Sequence, residues 1–234
     1  MIGGPELEAI GLSLLVALAA VTTSLPFGVA LGWLLARRSF RGKTLVETAV
    51  NLPLVLPPVV TGYLLLVAFG RHGWIGGPLE RWFGIRFVFD WKGAALAAAV
   101  VAFPLLVRSV RVAFAGIDGR LVDAARTLGA RPLDAFLTVA LPLARHGVIA
   151  GAVLAFARSL GEFGATVMIA GSIPGQTRTI PLYLYDRLES PGGLDRAWPV
   201  LLVSVALSTA ALVVAEYLER RSSQSTPPRN GVRP

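Results

Sequence analysis

Two ionised side chains, Arg158 and Glu162, stand four residues apart in the otherwise apolar run Ala157-Arg158-Ser159-Leu160-Gly161-Glu162-Phe163-Gly164-Ala165-Thr166. On a helix that spacing places them one turn apart. In apolar surroundings each charge costs several kcal/mol unless it is paired or faces water. One reading is a self-neutralising pair that locks helix packing; the other is a pair lining a pathway. Both can hold, because an ion pair at a gate can open in one state. Gly161 and Gly164 beside them permit a helix break or a close helix contact.

No bond-making constellation accompanies them. The chain has no His-Glu-x-x-His, no Ser/His set and no intramembrane Asp pair, so a membrane-embedded hydrolase lacks its groups. With 0 cysteines, disulfides and thiolate metal sites are excluded. The two histidines, His72 and His146, each sit beside a glycine and a basic residue and form no ligand pair. Gly42-Lys43-Thr44 resembles the end of a phosphate-binding loop, yet Arg37 stands where the leading glycine belongs and no strand precedes it. The sequence therefore holds no nucleotide site, and energy has to come from a separate subunit.

The elements that position Arg158 and Glu162 are membrane helices. Of 234 residues 54% are hydrophobic and 15% charged, and the mean hydropathy is +0.66, more apolar than a soluble surface of this size permits. A formal charge of +8 would also suit a nucleic-acid binder. Here, however, the basic residues cluster at the ends of apolar runs, the positive-inside pattern, so nucleic acid is not an expected partner. A crossing helix needs about 20 residues, and five stretches qualify: 9–36, 45–69, 93–115, 139–171 and 197–217. Six crossings would require dividing one long stretch, and 9–36 around Pro26 is too short for two.

Loop charges orient these spans. Arg37, Arg38, Arg41 and Lys43 carry no acidic companion, Arg108 to Arg131 are rich in arginine, and the tail holds Arg220, Arg221, Arg229 and Arg233. Those segments are expected in the cytoplasm, and the N-terminus and the two balanced loops outside. Residues 1–9 contain Glu6 and Glu8 but no basic residue, so the first span reads as retained rather than as a cleaved signal. Trp74, Trp82, Trp91, Tyr183, Tyr185 and Trp198 are expected as headgroup anchors. Residues 222–234, with Pro227, Pro228 and Pro234, read as a disordered tail after a permease domain of residues 1–221. Pro53, Pro57 and Pro58 force a kink in the second span. The pairs Gly28/Gly32 and Gly147/Gly151 allow close helix approach, within the chain or across a homodimer seam.

The polar segment 116–138 between two spans reads as two short helices joined by a turn. Asp118 caps the first, which presents Leu121, Ala125 and Leu128 on one face. Gly129 suits the left-handed position after a helix, and Pro132 a helix start. From pattern alone, this could be an amphipathic helix on lipid or a docking element for a soluble partner.

The segment resembles the coupling loop of bacterial ABC-importer membrane subunits, which runs Glu-Ala-Ala, three residues, Gly, nine residues, Ile-x-Leu-Pro. The matching residues are Asp123-Ala124-Ala125, Gly129, and Val139-x-Leu141-Pro142, with Asp for Glu and Val for Ile. In that family the loop supplies a helix that sits in a groove of the ATP-hydrolysing subunit, which implies ATPase-coupling roles for Asp123, Ala124, Ala125, Leu128 and Gly129. Three further runs resemble molybdate-transporter permeases: Leu52 to Tyr63 (Leu-Pro-Leu-Val-Leu-Pro-Pro-Val-Val-Thr-Gly-Tyr), Ala157 to Thr166, and Ile173-Pro174-Gly175-Gln176-Thr177-Arg178-Thr179-Ile180-Pro181. Sulfate and tungstate permeases are close relatives sharing the loop and a Gly-Glu-Phe/Tyr-Gly element. The likeness extends from about residue 8 to residue 220.

The resemblance implies an all-α, polytopic importer-permease bundle in a bacterial or archaeal cytoplasmic membrane, surrounded by lipid. It implies a homodimer, two cytoplasmic ATPase subunits that bind ATP and magnesium, and an external oxyanion-binding protein. The chain itself would bind no cofactor and break no bond. Arg158 would attract the oxyanion and Glu162 tether it, with Ser159, Gly161, Gly164 and Thr166 beside the pathway. The alternatives are a secondary transporter or anion channel acting without an ATPase, against which the lack of internal symmetry speaks, and a purely structural membrane subunit.

Overall fold

The computed structural model describes residues 3–190 and 193–224; in these the chain is helical, with no strand. α1 (Gly4–Arg37) is one helix of 34 residues. It starts on Pro5, which needs no amide partner, and on Glu6, whose carboxylate accepts from the Gly3 amide at 2.9 Å. It runs through Pro26 without breaking. One turn before the proline, the hydroxyls of Thr22, Thr23 and Ser24 bond back to the carbonyls of Leu18, Ala19 and Ala20, so these polar groups need no water.

The expected second span is not a kinked rod. α2 (Lys43–Val55) and α3 (Pro58–Phe69) meet at a bend of 113°. Pro57 and Pro58 are adjacent and neither carries an amide hydrogen, so the helical ladder loses two consecutive bonds at the junction. Among the described residues four helical runs are each long and apolar enough to cross a membrane, or up to five if the bent pair is one crossing. After the short α4 (Gly76–Phe83) comes α5 (Trp91–Ala115), capped by Asp90, whose carboxylate accepts from the Lys92 amide at 2.9 Å.

α6 (Gly119–Thr127) is followed by α7 (Pro132–Ala135), a π turn at Phe136–Ala140, and α8 (Leu141–Leu160). The last three form one run, Pro132–Leu160. The polar segment therefore becomes continuous with the next span at Pro132, before the expected limit of 138. At its other end that span stops at Leu160, and α9 (Gly164–Ala170) resumes after three residues. The expected 139–171 stretch is thus a helix, a break and a short helix. α10 (Ile180–Leu188) and α11 (Gly193–Gln224) complete the described residues. α11 carries helix to Gln224, past the expected start of the tail at residue 222; 225–234 lie outside the described residues.

α5 is the centre. Its alanine face, Ala94, Ala97, Ala98 and Val101, packs with Val16 and Ala20 of α1 and Ala165 and Ile169 of α9. Further along, Leu106, Val110 and Phe114 meet Val21, Ala140, Ala144 and Val148. Both glycine pairs are consumed here. A β-carbon on Gly28 would lie 2.6 Å from Leu106, and one on Gly32 2.6 Å from Val110; on Gly147 it would lie 2.4 Å from Ala113, and on Gly151 2.9 Å from Ser109. Close approach within the chain accounts for them. Of the expected anchors, Trp74, Trp82 and Trp198 are indeed exposed, whereas Tyr183 is fully buried and serves as a hydrogen-bonding core residue.

The tightest contact between the two broken spans is at Gly62, where a β-carbon would stand 2.6 Å from the carbonyl oxygen of Ala165. Backbone cannot yield as a flexible side chain does. Gly62→Val is expected to lower the thermal midpoint of the detergent-solubilised protein by several degrees, at about 2–4 °C per kcal/mol for a chain of this size. Gly11→Ala, in mid-helix where nothing lies within 4 Å, should not lower it.

Candidate functional site

Two sites emerge, about 44 Å apart along the single run Pro132–Leu160, taking a rise of 1.5 Å per residue. The first is the polar segment. Asp118 caps α6 by accepting the Arg120 amide at 3.0 Å. The helix ends in paired backbone bonds, Ala130 N–H to the Ala125 carbonyl and Gly129 N–H to the Arg126 carbonyl, both 3.1 Å. This closure requires a left-handed residue, and Gly129 has φ +95°. The segment is therefore ordered by its own bonds.

α6 has no buried residue among its nine. Val122 turns toward the bundle and, like Ile117 and Phe136, packs against the cluster of Leu106, Val110 and Phe114. Leu121 and Leu128 are exposed, Leu128 at 89%. Asp123, Ala124 and Gly129 are also exposed and Ala125 is half-buried, so four of the five residues expected to couple are exposed. A cleft of about 340 Å³ lies beside it, lined by Asp123, Arg126, Thr127, Ala130 and Pro132.

The second site is the break between α8 and α9. Arg158 Nη1 lies 2.8 Å from Glu162 Oε2, and the Ala165 amide donates to Glu162 Oε1 at 2.9 Å. Both carboxylate oxygens are thereby used. The Glu162 side chain is 2% exposed and that of Arg158 32%, so the pair has one buried member and one reaching toward an open side. The self-neutralising reading is realised in this conformation, and the guanidinium retains free donors. Gly161 terminates α8 and Gly164 starts α9. A β-carbon on Gly164 would stand 2.9 Å from Pro58, so the two helix breaks touch. Ser159 and Thr166 are buried, and the Ser159 hydroxyl has no hydrogen-bond partner.

Several groups at these sites had no signal in the sequence. Thr61, one residue before the Gly62 contact, has a buried hydroxyl without a partner. Near the polar segment, Arg37 donates to the Ile117 carbonyl at 2.9 Å, and Glu47 pairs with Arg111 at 2.9 Å. At the opposite end of α1, Tyr183 donates to Glu6 and accepts from Arg187 Nε at 2.9 Å. Burial and the neighbouring carboxylate hold the Tyr183 hydroxyl above its ordinary range, which keeps it a donor. Alternation and helix spacing carry no information about such long-range polar partners. Among the described residues no group of three or more His, Cys, Asp or Glu could hold a metal ion.

Residues 28–224 match the family described as "binding-protein-dependent transport system inner membrane component". The chain is 53% identical over 220 residues to the molybdenum transport system permease protein ModB of Escherichia coli strain K12, covering 94% of this chain and 96% of that one. It is 34% identical to the sulfate transport system permease protein CysW of a Synechocystis species, covering 92% and 77%. In fold it is similar to the MetNI methionine ABC transporter in inward-facing conformations, with a TM-score of 0.66 at 19% identity over 92% of this chain and 95% of that one. A bacterial alginate ABC importer is also similar, with a TM-score of 0.63 at 17% identity over 96% and 81%.

The break site makes a mutational demand of its own. Glu162→Leu would leave Arg158 unpaired and the Ala165 amide without its acceptor. Breaking a buried pair on one side costs about 3–5 kcal/mol, less here because Arg158 is one-third exposed. A marked fall in thermal stability is expected, with part of it recovered in the double variant Arg158→Leu/Glu162→Leu. Equal stability of the single variant and the wild type would show that the pair contributes nothing.

Proposed function

Because the chain belongs to the binding-protein-dependent transport system inner membrane component family, we propose that it carries molybdate inward as one half of a homodimeric, ATP-driven permease. It is a multi-pass membrane subunit of an importer and performs no bond chemistry. Two cytoplasmic ATPase subunits, which bind ATP and magnesium, dock on α6 of the two copies, and an external oxyanion-binding protein delivers the substrate. The observation that carries this reading is α6 itself, a helix ordered by its own caps that leaves Leu121 and Leu128 uncovered. Exposed apolar groups on an ordered polar segment mark a surface for a partner protein or lipid, and the family of transport-system membrane components supports the protein.

The N-terminus lies outside and the C-terminus in the cytoplasm, so that α6 faces the ATPase. ATP binding draws the two ATPase subunits together and moves the two α6 helices with them. Occupancy by ATP must favour one state of the permease over the other, or no movement follows. Each α8 transmits that displacement to the break at Gly161–Phe163. There Arg158 offers its free donors to the oxyanion, while Glu162 returns to the guanidinium when the anion leaves. Arginine suits this task because its donors stay charged and match tetrahedral oxyanions in pairs. Ser159, Gly161, Gly164 and Thr166 shape the wall of the passage.

The test is uptake of labelled molybdate into vesicles holding the permease, the ATPase and the binding protein, competed with tungstate and sulfate. Uptake that requires ATP and yields to tungstate before sulfate is expected. Uptake at the same rate without the ATPase would establish an independent carrier instead. Preference for sulfate would move the chain toward its sulfate relatives. In the same vesicles Arg158→Leu should lower uptake more than it lowers the amount of assembled protein. Gly129→Val should sustain ATP hydrolysis while transport falls, because a β-branched residue is strained at positive φ.

A further inference from the structure

From the contacts at its two ends, we infer that α1 is the rod joining the ATPase-docking segment to the outer helix α10, with Arg37 and Trp33 as the positioning residues at the inner end. The inference rests on α6 being the docking surface. Arg37 is the last residue of α1, and its Nη2 donates to the Ile117 carbonyl, 80 residues away in sequence, at 2.9 Å. Ile117 lies in the short link between the end of α5 and the cap of α6. A β-carbon on Gly119 would stand 3.4 Å from Arg37 Nη1, so the guanidinium rests directly against the first residue of α6. Its Nε is buried with no partner. A cation placed at that cost serves a contact rather than solvation, unlike the exposed Arg38 and Arg41 of the same basic loop.

Trp33, one turn earlier, meets the other end of the segment. Its ring stands edge-on to Phe136 at 5.3 Å, and Phe136 lies 5.8 Å from the fully buried Phe114. Phe136 opens the π turn that leads into α8. The last turn of α1 thus holds the segment carrying α6 at its beginning and at its end. At the far end of α1, the Ile180 amide donates to Ser13 Oγ at 2.7 Å, and Tyr183 donates to Glu6. Between these ends α1 is unbroken, a rod of about 51 Å at 1.5 Å per residue, while α2–α3 and α8–α9 are interrupted. α1 is therefore the uninterrupted link from the docking segment to α10, and a tilt imposed on α6 reaches α10 through it.

The experiment uses the complete complex and reads two quantities: basal ATP hydrolysis, and its stimulation by the molybdate-loaded binding protein. In Arg37→Ala, basal hydrolysis per assembled complex should persist while stimulation falls about tenfold, the factor one charge-assisted hydrogen bond commands. Arg37→Lys should recover part of the stimulation, since an ammonium keeps one donor in reach. Arg38→Ala should behave as wild type. A purely structural role would instead scale both quantities with the amount of assembled protein. Should Arg37→Ala fail to assemble, Trp33→Leu at the same end and Tyr183→Phe at the other carry the test, each with stimulation reduced and basal hydrolysis kept. Stimulation within twofold of wild type in the assembling variants overturns the inference. A wild-type complex that shows no ATP-driven transport contradicts the proposed function instead.

Discussion

Backbone amides and carbonyls inside a membrane must find partners within the protein, and the two interrupted spans are built around that constraint. A helix cannot simply stop in hydrocarbon. The break at Pro57–Pro58 is made of residues that have no amide hydrogen to orphan. The break at Gly161–Phe163 is closed by Glu162, whose carboxylate takes the Ala165 amide on one oxygen and Arg158 on the other. Gly164 then sits against Pro58 and Gly62 against Ala165, so each interruption covers the other. The charged pair is affordable because it performs a backbone duty as well as an electrostatic one.

This arrangement separates stiffness from mobility. α1 and α5 are long and continuous and are held together by small residues along their contact, with Gly28 and Gly32 under Leu106 and Val110. α3 and α9 are short and broken at their starts; they pack on each other, and α9 also rests on α5 through Ala165 and Ile169. Interrupted helices packed against intact ones allow local rearrangement without loss of the bundle. The buried, unpartnered hydroxyl of Thr61 lies on α3, and that of Ser159 in the last turn of α8, just before the break.

Much of this was legible in the sequence, for definite reasons. The cap at Asp118, the left-handed Gly129 and the helix start at Pro132 follow from backbone chemistry that depends on near neighbours alone. The Arg158–Glu162 pair was expected from i, i+4 spacing, although Glu162 stands past the end of α8, and the neighbouring glycines signalled the interruption. The severity of the Pro57–Pro58 bend was not legible, because the angle after a lost ladder is set by whatever packs against it, here Gly164. Arg37 read only as one of several basic residues at a membrane edge, and Tyr183 as a headgroup anchor. Both acquire their roles from partners far away in the chain, Ile117 and Glu6, which no local pattern specifies.

The central claim is that α6 presents a docking surface to an ATPase, and Leu128, at 89% exposure, is where contact with it is most directly seen. A photo-reactive amino acid at position 128 in membranes containing the whole complex would identify its neighbour. The account predicts a cross-link to the ATPase subunit that strengthens when ATP is bound. Cross-links to lipid alone, with the ATPase present and active, would contradict it.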